Sequence, residues 1–340
     1  MKTIKLIYCV LFGIMLCSCE DVLIKSNSSD QNIEDFEATW HRVKDVYPFL
    51  EYKKINWDSV YSAYRPRVEA VNGDEFYFVL HDLLDLLKDG HTYYRTPGGG
   101  KVYPFYPQRH FKDRHAYSPF VVRKYFNKEL RLTESGSAEY EITPDNIGYV
   151  FLSDFHKNYL SIEFPDIMMY LKNTKGLIID IRQKRGGEYQ NVIEVVRWFL
   201  SSPLEPPKLY ALGKLIEQSP IEPGGTFTYV KPVIVLINGS TFSAGELTTE
   251  ILKQLPNVTA VGDTTGGGGV ASFASPPEAV GEYQLPSGKL IYIGTGYFER
   301  YDGQPFEWVG IPPDILVEQT ERDILNGRDM QLEYALKMLK

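Results

Sequence analysis

Ser243 lies between an apolar run, Val233–Ile237, and a segment of helical character over 244–255. A serine at a strand-to-helix junction suits acyl transfer. Its hydroxyl sits at the positive end of the helix dipole, and the amide of Ala244, in the first helical turn, has no intrahelical acceptor. Serine also caps helices for purely structural reasons, so position alone leaves both roles open. The pair Gly186-Gly187 follows another apolar run, 176–181. It could expose an amide as a second oxyanion donor or form a plain turn. His91, just past Gly90, has the residue type for a general base near neutral pH. His41, His81, His110, His115 and His156 are its competitors, and any of the six could be surface or structural.

These residues need elements to hold them. Ile33, Phe36, Trp40, Val43 and Tyr47 alternate steps of three and four, the mark of an amphipathic helix. Trp57, Val60, Tyr61 and Tyr64 predict a second helix, with Pro66 near its end. A third, capped by Asp74, runs through Phe76, Leu80, Leu83, Leu84 and Leu87 to a left-handed stop at Gly90. Residues 31–92 therefore read as an N-terminal helical domain. Residues 93–145, with Pro97, three glycines, Pro104 and Pro107, read as loops and β-strands, 120–122 among the strands. From 146 to 340 strands and helices alternate: strands at 147–152, 176–181, 233–237, 259–262 and 290–293, and helices around Val192–Phe199 and 244–255. That pattern predicts an α/β core with buried strands.

The amino end reads as targeting rather than fold. Lys2 and Lys5 precede an apolar stretch over 6–16 that is short for a membrane span. Leu16-Cys17-Ser18-Cys19 resembles the bacterial lipobox. The resemblance implies a signal peptide over 1–18, acylation of Cys19, and a flexible tether over 19–30. Export to the cell envelope with a lipid anchor, on the outer membrane, follows. The three cysteines are Cys9, Cys17 and Cys19, so a chain starting at Cys19 has no disulfide, no thiol nucleophile and no cysteine metal site. Loss of Lys2 and Lys5 takes the net charge beyond −8, and no basic run stands out. Nucleic acid is thereby excluded as an expected partner.

Five segments in order resemble the tail-specific (C-terminal processing) serine peptidase family. They are Asp89-Gly90-His91-Thr92, Lys175 to Arg182 followed by Gly186-Gly187, Asn238 to Glu246, Gly262-Asp263-Thr264-Thr265, and Gly310-Ile311-Pro312-Pro313-Asp314. In that pattern the nucleophile precedes a glutamate by three residues, which selects Ser243 over Ser240. The resemblance implies oxyanion donors at Gly187 and Ala244 and the spiral α/β core shared with crotonase and Clp-type peptidases. It implies no metal and no cofactor.

The best-known members place a dyad lysine where this chain has Gly268. The chain is instead similar to the tricorn-core and retinoid-binding-protein branch, which implies His91 as base and Glu307 as a glutamate orienting the catalytic network. The stretch Gly327-Arg328-Asp329-Met330-Gln331-Leu332-Glu333 fits that branch too. The interval from Thr92 to Ile147 is too short for the PDZ domain many members carry. Substrate choice then falls to the helical domain and the aromatic loop over 103–106. The function implied is a serine endopeptidase acting on polypeptides in the bacterial envelope. Its rival is a non-catalytic peptide- or apolar-ligand-binding protein on the same fold. An esterase of Gly-x-Ser-x-Gly type is disfavoured, because Ser243 sits in Thr241-Phe242-Ser243-Ala244-Gly245.

Overall fold

The computed structural model describes residues 28–109, 115–183 and 186–340. The expected signal peptide, Cys19 and most of the expected tether lie outside the described residues. Seven strands form the central sheet, in chain order: β1 (Arg131–Leu132), β2 (Ala138–Ile142), β3 (Ile147–Leu152), β4 (Gly176–Asp180), β5 (Val233–Ile237), β6 (Val258–Gly262) and β7 (Ile315–Leu316). Each pairs with its sequence neighbours. The β1–β2 and β2–β3 pairs are antiparallel, and β3 through β7 run parallel.

The parallel strands read as unbroken apolar runs because both faces are covered. Leu177, Ile179, Val233, Val235 and Ile237 pack on one side against Phe164, Ile167, Val192, Val195, Leu247 and Ile251. Ile178, Ile234 and Leu236 point the other way, onto Leu332, Ala335 and Leu339 of the C-terminal helix Met330–Met338. The crossover helices Tyr159–Leu171, Tyr189–Val196 and Ala244–Leu252 thus share one face. Successive parallel strands with the three helical crossovers on one side wind the chain as a spiral, the expected core.

Helices α1 (Ser28–Val46), α2 (Trp57–Glu69) and α3 (Phe76–Asp85) form the expected helical region. They do not have a core to themselves. Phe36, Trp40, Leu80 and Leu84 pack with Tyr94, just beyond the third helix, and with Val270, Leu285, Ile291 and Ile293, far along the chain. Tyr93–Arg95 and Lys101–Val102 join Glu282–Gln284 and Leu290–Tyr292 in a four-stranded antiparallel sheet. Among the described residues of 93–145 there is no separate PDZ-like module.

Four local expectations change. The tether gives way to helix at Ser28, three residues early, with Asp30 favourably placed in the first turn. Residues 120–122 lie in a short helix, Pro119–Arg123, not a strand; Pro119 at its first position presets the helical φ, and Val121 and Val122 are buried. The third helix is entered through a 3₁₀ turn, Gly73–Glu75, with Glu75 accepting the Asn72 amide at 3.1 Å, so Asp74 is not its cap. Past that helix the left-handed residue is Lys88, at φ 46°, rather than Gly90.

Candidate active site

Strand β5 ends at Ile237, and the loop to helix Ala244–Leu252 is tied down before it reaches Ser243. Thr241 Oγ1 accepts the Asn238 amide at 3.1 Å and donates to the Ile181 carbonyl at 3.1 Å. The ends of β4 and β5 are thereby locked together. Carboxyl ends of adjacent parallel strands are where α/β sheets place ligands. Ser243 then takes φ 54°, ψ −118°, a conformation a non-glycine residue holds only under constraint.

The constraint is Glu246. It is fully buried, and its carboxylate accepts from the Ser243 amide (3.0 Å), Thr265 Oγ1 (2.6 Å), Gly267 N (2.9 Å) and Gly268 N (2.8 Å). Burial pushes its pKa up, and the four donors oppose that. The glutamate three residues after the serine therefore clamps the nucleophile turn to the glycine loop 266–269.

Gly186 and Gly187, at φ 122° and 147°, lie opposite Ser243. A Cβ on Gly186 would fall 2.9 Å from Ser243 Cβ and 3.1 Å from Oγ, with Ala244 N at 3.8 Å. Gly187 forms a parallel bridge with Phe155, whose carbonyl takes the amide of Glu188 at 2.7 Å rather than that of Gly187. Gly187 and Ala244 therefore border the same space as Ser243. The segment that leads from β4 toward Gly187 is anchored at its start. Arg182, fully buried, binds Asp180 (2.7 Å), Asp329 (2.8 Å) and Gln331 (3.1 Å). That is the work of the Asp329-Met330-Gln331 stretch.

His91 lines the same cavity as Ser243, Gly187 and Ala244; its volume is about 510 Å³. Its ring stacks on Phe242 with centroids 4.7 Å apart and planes 29° apart. Phe242 is boxed by glycines. A Cβ at Gly90 or at Gly266 would meet its ring at 2.8 Å, and one at Gly268 would overlap it. The place expected for a dyad lysine is thus filled by the aromatic ring that supports the histidine. Burial pushes His91 below the usual histidine range; Asp89 opposes that, and Lys53 adds to it.

Glu307 is brought to the neighbourhood, not to the nucleophile. One oxygen pairs with Lys53 Nζ at 2.5 Å and the other accepts Gly269 N at 3.1 Å. Neither touches Ser243 or His91, because the lysine and the glycine amide occupy both. Burial, and then Asp89, push Glu307 up to about 8, with Lys53 and the Gly269 amide pulling against them. Lys53 escaped the sequence reading, since a lysine in a turn between helices carries no signal of burial. Its ammonium is fully enclosed and also donates to Tyr47 OH (2.9 Å) and to the carbonyls of Leu87 (2.8 Å) and Lys88 (3.1 Å). It fastens the turn before His91 to the glycine loop. Of the other histidines, His156 also lines the cavity, from beside Phe155. Among the described residues no group of three or more His, Cys, Asp or Glu is placed to hold a metal ion.

Residues 146–317 match peptidase family S41, and residues 30–85 match the C1 domain of tricorn protease. The chain belongs to peptidase family S41. Among its relatives, the carboxyl-terminal-processing protease of Synechocystis is 27% identical over 198 residues, 57% of this chain and 44% of that protein. The carboxy-terminal processing protease CtpB of Bacillus subtilis is 24% identical, over 62% of this chain and 42% of that one. The chain therefore spans under half the length of these curated relatives. A peptidase-like protein from Parabacteroides merdae superposes with TM-score 0.75 at 25% identity, covering 91% of this chain and 96% of its own. The S41 match identifies the chain as a serine-type peptidase by family.

Proposed function

We propose that this S41 member is a serine endopeptidase that cleaves polypeptides through an acyl-enzyme. The observation that carries the reading is the convergence of Ser243, strained at a helix N-terminus, with Gly187, Ala244 and His91 around one cavity. In the proposed step His91 takes the Ser243 proton as Oγ bonds the substrate carbonyl carbon. The amides of Gly187 and Ala244 hold the oxyanion, roughly 3–4 kcal/mol per donor in comparable sites. His91 then passes that proton to the amine as the C–N bond breaks, and water releases the acyl group. Glu307 acts at a remove, through Lys53 and the Gly269 amide. Tyr93, Tyr103, Tyr106 and Tyr292 also line the cavity, which suits extended chains carrying apolar side chains.

The same proposal places the protein in the bacterial envelope, lipid-anchored through Cys19, on the strength of the Leu16-to-Cys19 pattern. Two acyl chains suffice for stable membrane attachment. A second reading, a ligand-binding protein on this fold, draws on Gly268 in place of the dyad lysine. Incubation of the purified protein with a peptide library and with a fluorophosphonate separates the two. Cleavage and labelling that vanish in Ser243→Ala and fall by roughly 10²–10⁴-fold in His91→Ala support the peptidase. A correctly folded protein that neither cleaves nor labels is the binder.

A further inference from the structure

Four buried polar atoms around His91 have no hydrogen-bond partner among the described residues: Asp89 Oδ2, both ring nitrogens of His91, and Thr92 Oγ1. Buried polar groups are rarely left unpaired. Their concentration in one short segment beside the cavity singles that segment out.

The local geometry says how. The Asp89 carboxylate accepts the His91 amide at 2.7 Å, an Asx turn that fixes the carboxylate beside the imidazole of its own motif. Oδ1 stands 3.8 Å from His91 Nδ1. About 1 Å of movement brings that to an ordinary N–H···O distance. The chain contains its own measure of whether such a turn permits the contact. Asp154-Phe155-His156 repeats the spacing and the turn, with the His156 amide on Asp154 Oδ1 at 2.8 Å, and there Nδ1 reaches the same oxygen at 2.7 Å. The ring of His91 is held short of this by its stacking on Phe242.

We propose that Asp89 is the positioning carboxylate of His91: it receives Nδ1–H when the imidazolium forms, leaving Nε2 to exchange the proton with Ser243. This rests on the serine-peptidase reading and deepens it. No proton moves to Asp89; the Ser243 proton goes to Nε2 and returns to the leaving amine.

The neighbouring charges leave Asp89 to the imidazole. Asp89, Glu307 and Lys53 are all buried, with Tyr47 beside them. Lys53 Nζ is taken up by Glu307 at 2.5 Å, whereas Asp89 Oδ1 stands 3.8 Å from His91 Nδ1. Asp89 opposes the lowering that burial imposes on His91.

The test is Asp89→Asn in the full chain, since an amide oxygen keeps the turn and only the charge is lost. Labelling of Ser243 by a fluorophosphonate should slow by roughly 10²-fold or more. The titration midpoint of the His91 ring, followed by NMR and assigned with His91→Gln, should fall. The phosphonylated wild type should show a downfield Nδ1 proton at His91. Wild-type labelling rate and midpoint in Asp89→Asn, or no downfield proton in the wild-type adduct, would overturn the proposal. Should Asp89→Asn not fold, the adduct spectrum decides alone. A wild type that never reacts at Ser243 would sink the peptidase reading and the catalytic part of this one, while the ring titration of the free protein still tests the Asp89–His91 pairing.

Discussion

Placing a lysine at position 268, as the dyad members have it, should damage this protein rather than give it a second base. A Cβ there would come within 2.6 Å of Phe242 Cε1, and closer to Cζ and Cε2. The backbone cannot retreat, because Gly268 N is bound to Glu246 at 2.8 Å and Gly269 N to Glu307 at 3.1 Å. The ring is hemmed in as well, with Gly266 against Cδ2 and Gly90 against Cζ and Cε2. Phe242 must leave its box, which costs ~1–3 kcal/mol for overpacking. The stacking with His91 goes with it, another ~0.5–1.5 kcal/mol. Together these come to about 2–4 kcal/mol, or roughly 3–6 °C of melting temperature for a chain this long at ~2.1 cal/mol/K per residue. Gly268→Ala carries the same Cβ without the amine and should show most of the loss. The assay is calorimetry alongside fluorophosphonate labelling of Gly268→Ala, Gly268→Lys and the double variant His91→Ala/Gly268→Lys. Recovery of labelling in the double variant, or an unshifted melting temperature in Gly268→Ala, would refute the argument that Phe242 fills the lysine's place.

Gly186→Ala should cost Ser243 its reactivity, since the new methyl meets Cβ at 2.9 Å and the backbone holds φ 122°; folding should suffer by roughly 1–3 kcal/mol, read by denaturant melts. Glu307 supplies a pH signature. A carboxyl whose folded pKa is raised contributes stability below its unfolded value, and that contribution is lost as pH rises from about 4.5 through about 8. Glu307→Gln should flatten the fall in melting temperature across that window; an identical pH slope in the variant would count against a protonated Glu307. Cys19→Ser should release the protein from membranes on fractionation, and mass spectrometry of the wild type should find an acylated Cys19 as its first residue.

The core was legible in the sequence because parallel strands buried on both faces must be apolar at every position. Hence Ile147–Leu152 and Val233–Ile237 were predicted to the residue, and the helix after Ser243 to within one turn. Motif order sufficed for the family. The helix at Pro119–Arg123 was not legible, since a short apolar stretch has no periodicity to tell helix from strand. What holds the site together was hidden for a different reason. Lys53, Asp89 and Glu307 lie far apart in the chain, and a charged residue shows no sign of burial until the fold closes over it. The sequence alone reported that Gly268 is not lysine. Only the tertiary structure decided what stands there instead: an aromatic ring from the nucleophile's own loop, boxed by glycines from two other segments and stacked on the histidine. Local spacing cannot encode that contact, because it depends on three loops meeting at the ends of strands set side by side by the sheet.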